Sequence, residues 1–357
     1  MSATNRISHT ASRILTGGSA SIGYGFETAF NTVQATIDKT FGLNAKVTSL
    51  TLNTSQVSLN KLGQVEPTKF VFGQQQGSLG VSFVLDDTES HRIFRCLYEN
   101  SGSTAQTQGG TSFAYPTALG ENSTGVKSPA SITTRIQVLT SGTVSSGLMQ
   151  TRSLTGCTVN NMSLNTSIGE VVNCTVDMAF AEESTATIET AATNFDTQTE
   201  INSVVMTPYT FAHGEVKVGT GASGALVKVF DVQDIDVSFA TSAELLYALG
   251  SHYAQNSFRK VFDIGGRFKT TFKDSALLQY VIDQSILTLE TETLTGTAGV
   301  GLSLTFENAA ANKSITIQFQ GVSLTDHSTS GLEPNEVLYE DVSFKAKSSR
   351  ITVDSAV

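Results

Sequence analysis

A glycine-rich segment is the first place where this sequence could do chemistry. Gly219, Gly221 and Gly224 have the spacing GxGxxG, which binds dinucleotides when a strand precedes it and a helix follows. The residues that come next, ALVKVFDVQDIDVSF, alternate between polar and apolar types as a strand does. This context favours a loop between two strands over a nucleotide site.

Metal binding is the second chemistry that the residue types allow. The histidines are scattered along the chain: His9, His91, His213, His252 and His327. Their spacing matches no zinc motif, so chance surface or turn positions explain them better. Asp234 and Asp236 share a predicted strand face beside Asp231, which would suit an ion or the lining of a channel. The carboxylate and glycine pattern of a calcium loop is absent, so a solvated strand face is the better interpretation.

Catalytic signatures are missing from the sequence. It has no nucleophile elbow and no P-loop, although a triad built from distant residues stays open. The cysteines, Cys96, Cys157 and Cys174, are odd in number and form no CxxC, which predicts reduced thiols rather than a disulfide framework. We therefore predict no enzyme, no cofactor and no bound metal.

Composition limits the classes of protein that remain. A length of 357 residues suits two domains, and 15% charged residues with 30 glycines and only 5 prolines favours a β-rich chain. The 22 Lys and Arg against 32 Asp and Glu give a net charge of −10, which argues against a protein that grips nucleic acid. No window approaches a membrane span of about 20 apolar residues. No secretory signal is recognisable, so we expect folding in a cytoplasm.

The basic residues are few and spread out. One interpretation is that they form salt bridges between subunits, but ordinary solubilising charge is favoured because exposed ion pairs contribute only about 0–1 kcal/mol. The residues concerned are Lys61, Lys69, Arg259, Lys260, Arg267, Lys269 and Lys273.

A strand followed by a helix occurs twice in the chain. Residues 266–282 read GRFKTTFKDSALLQYVI, with alternating strand residues, Asp274 as the predicted helix cap, and an apolar stripe of Leu277, Leu278, Val281 and Ile282. Residues 77–98 repeat the arrangement, with Ser90 as the cap and Ile93, Phe94, Leu97 and Tyr98 as the stripe. The leading glycines lie 266 − 77 = 189 residues apart, and the caps 274 − 90 = 184 apart.

Other landmarks agree with that spacing. The strand-like runs that begin at Val47 and Val232 lie 232 − 47 = 185 residues apart. Each half also closes with two predicted antiparallel strands, GCTVNNMSLNTSIGEVVNCTVDMAF and ITIQFQGVSLTDHSTSGLEPNEVLYEDVSFKA, matched on Met162–Leu164 with Val322–Leu324 and on Asp177-x-x-Phe180 with Asp341-x-x-Phe344. Repetition over half the chain length indicates a tandem duplication.

The duplication sets the predicted domain boundaries. Residues 1–20 form an N-terminal arm and residues 348–357 a C-terminal tail. The first domain covers 21–183 and includes a long loop at 101–147, and a Thr-, Glu- and Ala-rich linker at 184–205 leads to the second domain, 206–347. A loop of that length is usually functional.

The closing segments and the strand–helix unit resemble those of phage tail tube proteins. The resemblance rests on VSL followed by GLEPNEVLYEDVSFKA, on FKD before the second helix, and on VNNMSLNTSIGEVVNCTVDMAF in the first half. It covers most of residues 22–183 and 206–347. It implies a mostly β fold, two tandem β-sandwich or half-barrel domains per chain, each with a short flanking helix.

The same resemblance implies a function without catalysis. Three such chains would form a pseudo-hexameric ring, and stacked rings would make the virion tail channel through which viral DNA passes without specific binding. Assembly in the host cytoplasm with tape measure, terminator and distal tail proteins, and no membrane, would follow.

We expect the inter-ring contacts from the arm and residues 102–147. The strands expected to pair in the ring are residues 79–85, 171–180, 268–272 and 337–344.

Two other functions remain open at this point. A terminator, a baseplate component or the inner tube of an injection system would share the fold. A β-sandwich that binds a glycan or receptor is the alternative of another class, and the absence of tryptophan counts against it because sugar sites usually present exposed aromatic rings.

Overall fold

The computed structural model describes most of the chain. The described residues are 20–34, 37, 39–59, 66, 69–87, 90–98, 106–108, 112–115, 130–143, 146–189, 207–219, 226–229, 231–273, 275–283, 286–287, 300–308, 313–334 and 336–354. Strands dominate and every pairing between them is antiparallel, so the prediction of a mostly β fold is confirmed.

The first half contributes strands β1 to β10 and a short helical segment. The strands are β1 (Ala20–Phe26), β2 (Lys39–Thr40), β3 (Leu43–Leu59), β4 (Lys69–Val84), β5 (Gln106–Gln108), β6 (Ser112–Tyr115), β7 (Ile132–Thr143), β8 (Ser146–Ser167), β9 (Asn173–Phe180) and β10 (Glu182–Glu189). A 3₁₀ turn at Ser90–Phe94 continues as helix α1 (Arg95–Tyr98).

The second half contributes strands β11 to β22 and one α-helix. The strands are β11 (Gly214–Gly219), β12 (Leu226–Val229), β13 (Val232–Ala240), β14 (Ala243–Tyr247), β15 (Ala254–Arg259), β16 (Asp263–Thr271), β17 (Ile286–Leu287), β18 (Val300–Asn308), β19 (Lys313–Gln320), β20 (Val322–Ser330), β21 (Tyr339–Ala346) and β22 (Ser348–Asp354). A 3₁₀ turn at Phe211–His213 precedes β11, and helix α2 is Ala276–Ile282.

One long sheet runs through both halves. Its order is β3-β4-β9-β8 from the first half, followed by β13-β16-β21-β20 from the second, with β17 on the first residues of β20. The two halves therefore place their strands in the same order. They meet where β8 pairs with β13, for example Leu164 with Val237.

Each half also carries an outer sheet. In the first half its order is β2-β1-β7-β8-β10, in which the long strand β8 takes part in both sheets. In the second half the order is β12-β11-β18-β19-β22-β6-β5. Gly156 within β8 and Gly321 between β19 and β20 have φ of 63° and 62°. Each lies where the chain passes from the outer sheet to the long sheet, a bend that glycine tolerates best.

The same close packing recurs in both halves of the long sheet. Gly77 faces Phe180, and Gly266 faces Phe344. A Cβ added to Gly77 would lie 1.9 Å from Phe180 Cζ, and one added to Gly266 would lie 2.7 Å from Phe344 Cζ. The glycines that the sequence singled out therefore make room for a buried phenylalanine ring.

One apolar core lies between the long sheet and the outer sheets. The predicted stripe beside α1 is buried as expected: Ile93, Phe94, Leu97 and Tyr98. The stripe on α2 is only partly covered, because Leu277 and Val281 pack against the core while Ile282 is 62% exposed.

Several boundaries differ from the sequence-based expectation. Residues 184–189, assigned to the linker, belong to β10, which pairs with β8. Residues 348–354, assigned to the tail, form β22, which pairs with β19. Within the predicted loop 101–147, β6 pairs with β22 of the second half. These pairings could not be predicted because their partners lie far away in sequence.

The matched closing segments need one correction in register. Met162 faces Val176, whereas Leu324 faces Phe344, the counterpart of Phe180. The sequence match of Met162–Leu164 with Val322–Leu324 is therefore wrong, because each half has its β-bulge at a different place along this strand pair. The predicted cap Asp274 lies outside the described residues, and the Ser90 hydroxyl bonds the backbone of Asp86 instead of capping the helix.

Candidate assembly interface

The glycine-rich segment joins two strands. Gly219 ends β11 and pairs with Leu226 at the start of β12, so the segment connects an antiparallel hairpin. Residues 220–225 lie outside the described part. A strand, and not a helix, follows the glycines, so the condition for a dinucleotide site is not met.

The histidines occupy unrelated places. His91 is buried, and burial lowers its pKa to about 3, with help from the nearby charges of Arg92 and Lys313. His252 Nδ1 lies 3.0 Å from the carbonyl oxygen of Gly73, and His327 Nε2 lies 2.9 Å from Glu340 Oε2. Across the part of the chain that the structure describes, no three His, Cys, Asp or Glu residues come together to hold a metal.

The three aspartates lie along one edge of β13 and the turn before it. Asp231 pairs with Lys273 at 2.8 Å, and Asp234 lies 3.5 Å from Arg267. Asp236 shares the face of Asp234. Burial raises the pKa of Asp236, Arg267 lowers it and Asp234 raises it further. The group is a charged strand face in which a cation from the same chain already sits.

The remaining predicted basic residues are engaged within the chain. Lys260 pairs with Glu244, and the guanidinium of Arg259 donates to the carbonyl of Leu97 while lying 4.8 Å from the ring centre of Phe262. Lys269 lies over the ring of Tyr339. Lys61 lies outside the described residues.

All three cysteines are free and buried. Burial raises the pKa of Cys96 and of Cys157 to about 12, and it raises that of Cys174 as well. A thiol with such a pKa is not a nucleophile at neutral pH. The prediction of reduced thiols is confirmed.

The long sheet has two open edges. No described strand pairs with the outer side of β3, and none pairs with β20 beyond Ser323. Leu52 on β3 is 41% exposed, whereas Val237, its counterpart on β13, is 1% exposed because β8 covers it. An open edge of this length exposes unpaired N–H and C=O groups and invites another strand.

The hairpins that extend from the long sheet differ in direction. In the first half, β3 and β4 continue past the sheet as residues 53–59 and 69–76, which we call the projecting hairpin. It exposes a set of large apolar side chains: Val57, Leu59, Phe70, Val71 and Phe72.

In the second half, β14 and β15 form a separate folded hairpin. Its chain turns at Ser242, which has φ 46°. Thr241 fixes that turn to β8, since its N–H donates to the carbonyl of Asn160 at 2.9 Å and its hydroxyl to that of Val159. The folded hairpin therefore lies back over the first half, where Tyr247 donates to the carbonyl of Gln75 at 2.8 Å.

One face of the long sheet is polar from end to end. In the first half it carries short side chains such as Thr51, Ser78 and Ser163, and in the second half it carries charges. Arg267 lies 3.5 Å from both Asp234 and Asp341, and Lys345 lies 3.7 Å from Asp263. Positive and negative groups alternate, so no basic patch forms that would hold a phosphate backbone.

The family of the chain follows from comparison with known proteins. A family model described as "Phage tail tube protein" matches residues 17–346. The chain belongs to the phage tail tube protein family. It is a structural component of a virion tail.

Other comparisons add little to this tail tube assignment. A search of curated proteins found no match. A structure entitled "Cryo-EM structure of the anti-feeding prophage cap (AFP tube terminating cap)" is similar over 43% of this chain and 95% of that chain, at 11% identity and a TM-score of 0.30. Among the described residues of this tail tube protein, no helix is long and apolar enough to cross a bilayer.

The strands predicted to pair between tail tube subunits prove to be interior strands. Residues 79–85 lie in β4, between β3 and β9, and residues 171–180 lead into β9, between β4 and β8. Residues 268–272 lie in β16 and residues 337–344 in β21, each with a neighbour on both sides. A strand has only two edges, so the prediction is wrong for all four, and β3 and β20 carry the open edges.

Sequence reasoning missed both edges and the projecting hairpin. A usable signal was present in the hairpin, because Phe70, Val71 and Phe72 are consecutive apolar residues flanked by polar ones. Such a run puts apolar side chains on both faces of a hairpin, which a monomer cannot bury on both sides.

Proposed function

We propose that this chain is the major tail tube subunit, and that three copies close into a ring whose stacks conduct the viral genome during ejection. The observation that carries the proposal is the long sheet, which repeats a four-strand order and ends in two open edges, β3 and β20. Closing the sheet across chains pairs those edges and removes the aggregation hazard of an open one. Each chain would supply two tandem tube domains, residues 20–189 and 207–354.

The junction inside the chain serves as a template for the junction between chains. Met162 faces Phe239 where β8 meets β13. Thr329 takes the place of Met162, because Met162 faces Val176 and Thr329 faces Glu340, each four residues before the phenylalanine that packs on glycine.

Thr54 takes the place of Phe239, at the repeat spacing of 239 − 54 = 185. Thr54 of one chain is therefore expected opposite Thr329 of the next. Both side chains are exposed in the single chain.

The polar face of the long sheet would line the channel. A closed ring turns the apolar face towards the outer sheets, where the core already lies, and leaves the polar face inside. Its balanced ion pairs and hydroxyl groups offer DNA no run of cations, so the duplex would pass without specific binding. The face of Asp234 and Asp236 would then be a lumen lining.

Stacking and partner contacts belong to other parts of the chain. The N-terminal arm at 1–20 and the loop residues within 102–147 that do not join the second outer sheet are proposed to reach the next ring. Tape measure, terminator and distal tail proteins are the proposed partners at the channel and at its two ends.

A disulfide between the proposed edges tests ring closure. The variant carrying T54C and T329C is expected to cross-link on mild oxidation, because the template places these residues opposite each other. The native cysteines are buried and do not compete. The product should have up to three times the 37.8 kDa mass of the chain, and electron microscopy should show rings or tubes.

The matched control pairs T54C with T175C, which lies on the interior strand β9 and should not cross-link. A monomer that stays monomeric at high concentration would contradict the proposal. Rings that never stack would indicate a terminator in place of a tube subunit.

A further inference from the structure

The two hairpins share one strand register. Ser58 faces Phe70 in the projecting hairpin, and Ala243 faces Arg259 in the folded one. The spacings are 243 − 58 = 185 and 259 − 70 = 189, the same as those of the flanking strands. Phe70 therefore occupies the place of Arg259, and the hairpins are equivalent elements of the repeat.

The folded hairpin shows what this element does when its neighbour is present. It crosses from the second half onto the first, where Arg259 donates to the carbonyl of Leu97 at the end of α1. Phe262, beside Arg259, contacts the Tyr98 ring edge-on at 5.7 Å. These contacts leave Tyr98 only 5% exposed.

The matching surface of the second half is uncovered in the single chain. Val281 and Ile282 at the end of α2 correspond to Leu97 and Tyr98 in the repeated apolar stripe, at a spacing of 281 − 97 = 184. Ile282 is 62% exposed and Phe70 is 53% exposed. Two apolar groups that the repeat relates to a buried contact are thus both left open to water, which apolar side chains avoid where a partner can cover them.

We propose that the projecting hairpin of one chain packs across the second half of its neighbour in the same ring, with Phe70 over Ile282 at the end of α2. The contact rests on the proposed ring, and it replaces the polar contact between Arg259 and Leu97 by an apolar one. It makes the hairpin a clamp between chains within a ring.

The turn of the hairpin is placed by the same argument. Thr241 is bonded to Val159 and Asn160 of β8, and Gln56 takes its place in the projecting hairpin, at 241 − 56 = 185. Its partner in the next chain is the segment of β20 at His327, which faces Val342 as Val159 faces Met178. The clamp therefore begins where the β3 and β20 edges stop pairing.

The experiment is a second disulfide pair, F70C with I282C, studied beside the closure pair T54C with T329C. If the hairpin clamps its ring neighbour, both pairs cross-link, and the ladder on a non-reducing gel ends at three chains. The control F70C with V337C uses another exposed apolar residue of the second half, which lies in the turn between β20 and β21, and it should stay uncross-linked.

The outcomes separate the two proposals. Cross-linking by the closure pair without the hairpin pair overturns the clamp and leaves the ring standing. A hairpin ladder that runs past three chains overturns it as well, since the hairpin would then join different rings. Failure of both pairs overturns the ring itself.

A variant without cysteine gives an independent measurement. Phe70→Asp is exposed in the single chain and should leave the melting temperature of the monomer unchanged. It is expected to raise the concentration at which rings form by roughly ten-fold or more, since a buried phenylalanine is lost from each junction. Unchanged ring assembly would contradict the clamp.

Discussion

Val237 and Leu52 occupy the same place in the two halves, yet one is buried and the other is open. Val237 on β13 is 1% exposed because β8 lies beside it, and Leu52 on β3 is 41% exposed because its outer edge has no described neighbour. The hairpins differ in the same way, one folded onto the first half and the other projecting. Where the neighbouring half is in the same chain, the element is packed, and where it would belong to another chain, the element waits for it.

The strongest test of this comparison puts one charge at both positions. Val237→Asp buries a carboxylate in the core and should lower the free energy of unfolding of the monomer by about 4 kcal/mol or more. Leu52→Asp should leave the monomer stable and prevent ring formation. Chemical denaturation and native mass measure the two effects, and equal destabilisation of the monomer by both changes would mean that the β3 edge is not open.

The paired glycines give the next largest effect. Gly77→Ala and Gly266→Ala should each cost about 1–3 kcal/mol of unfolding free energy, because the new methyl group meets a buried phenylalanine. At Gly77 the atoms in the way belong to the Phe180 ring, so adding Phe180→Leu should lose less than the sum of the single changes. At Gly266 the Asp236 carbonyl oxygen is also 2.5 Å away, so Phe344→Leu should not rescue it. Identical behaviour of the two double mutants would show that the sites are not distinguished by that carbonyl.

A smaller effect concerns the charged half of the polar face. The pKa of Asp236 is raised in the folded chain, mainly by burial, so its ionised form costs stability above that pKa and the cost vanishes as the pH falls. Asp236→Asn should therefore raise the melting temperature slightly at pH 7, and the gain should shrink at acidic pH. Thr51→Asn, at the equivalent place in the first half, should show no such pH dependence. A gain that grows on acidification would reverse the assigned sign.

The smallest effect is expected at the centre of the ion pairs. Arg267 corresponds to Ser78 in the first half, at 267 − 78 = 189, and it lies on the surface between two aspartates. Arg267→Ser should change the unfolding free energy by no more than about 1 kcal/mol, because exposed pairs are screened. Thermal melts of the monomer measure this, and a larger loss would make the pair a structural element of the second half.

The sequence determined the repeat and the faces of its strands. Gly77 and Gly266 both proved to be sites of close packing, and Ile93 to Tyr98 proved to be a buried stripe. Alternation with a period of two is local, so it identifies which side chains face the core without knowledge of any other strand.

The tertiary structure decided which strands are neighbours. The four strands predicted to pair between subunits lie inside the sheet, β8 joins β13 across the two halves, and residues 348–354 form a strand of the second outer sheet. The sequence could not show this because any amphipathic strand can pair with another of matching length. Only the closed set of contacts in the folded chain leaves β3 and β20 with an edge to offer.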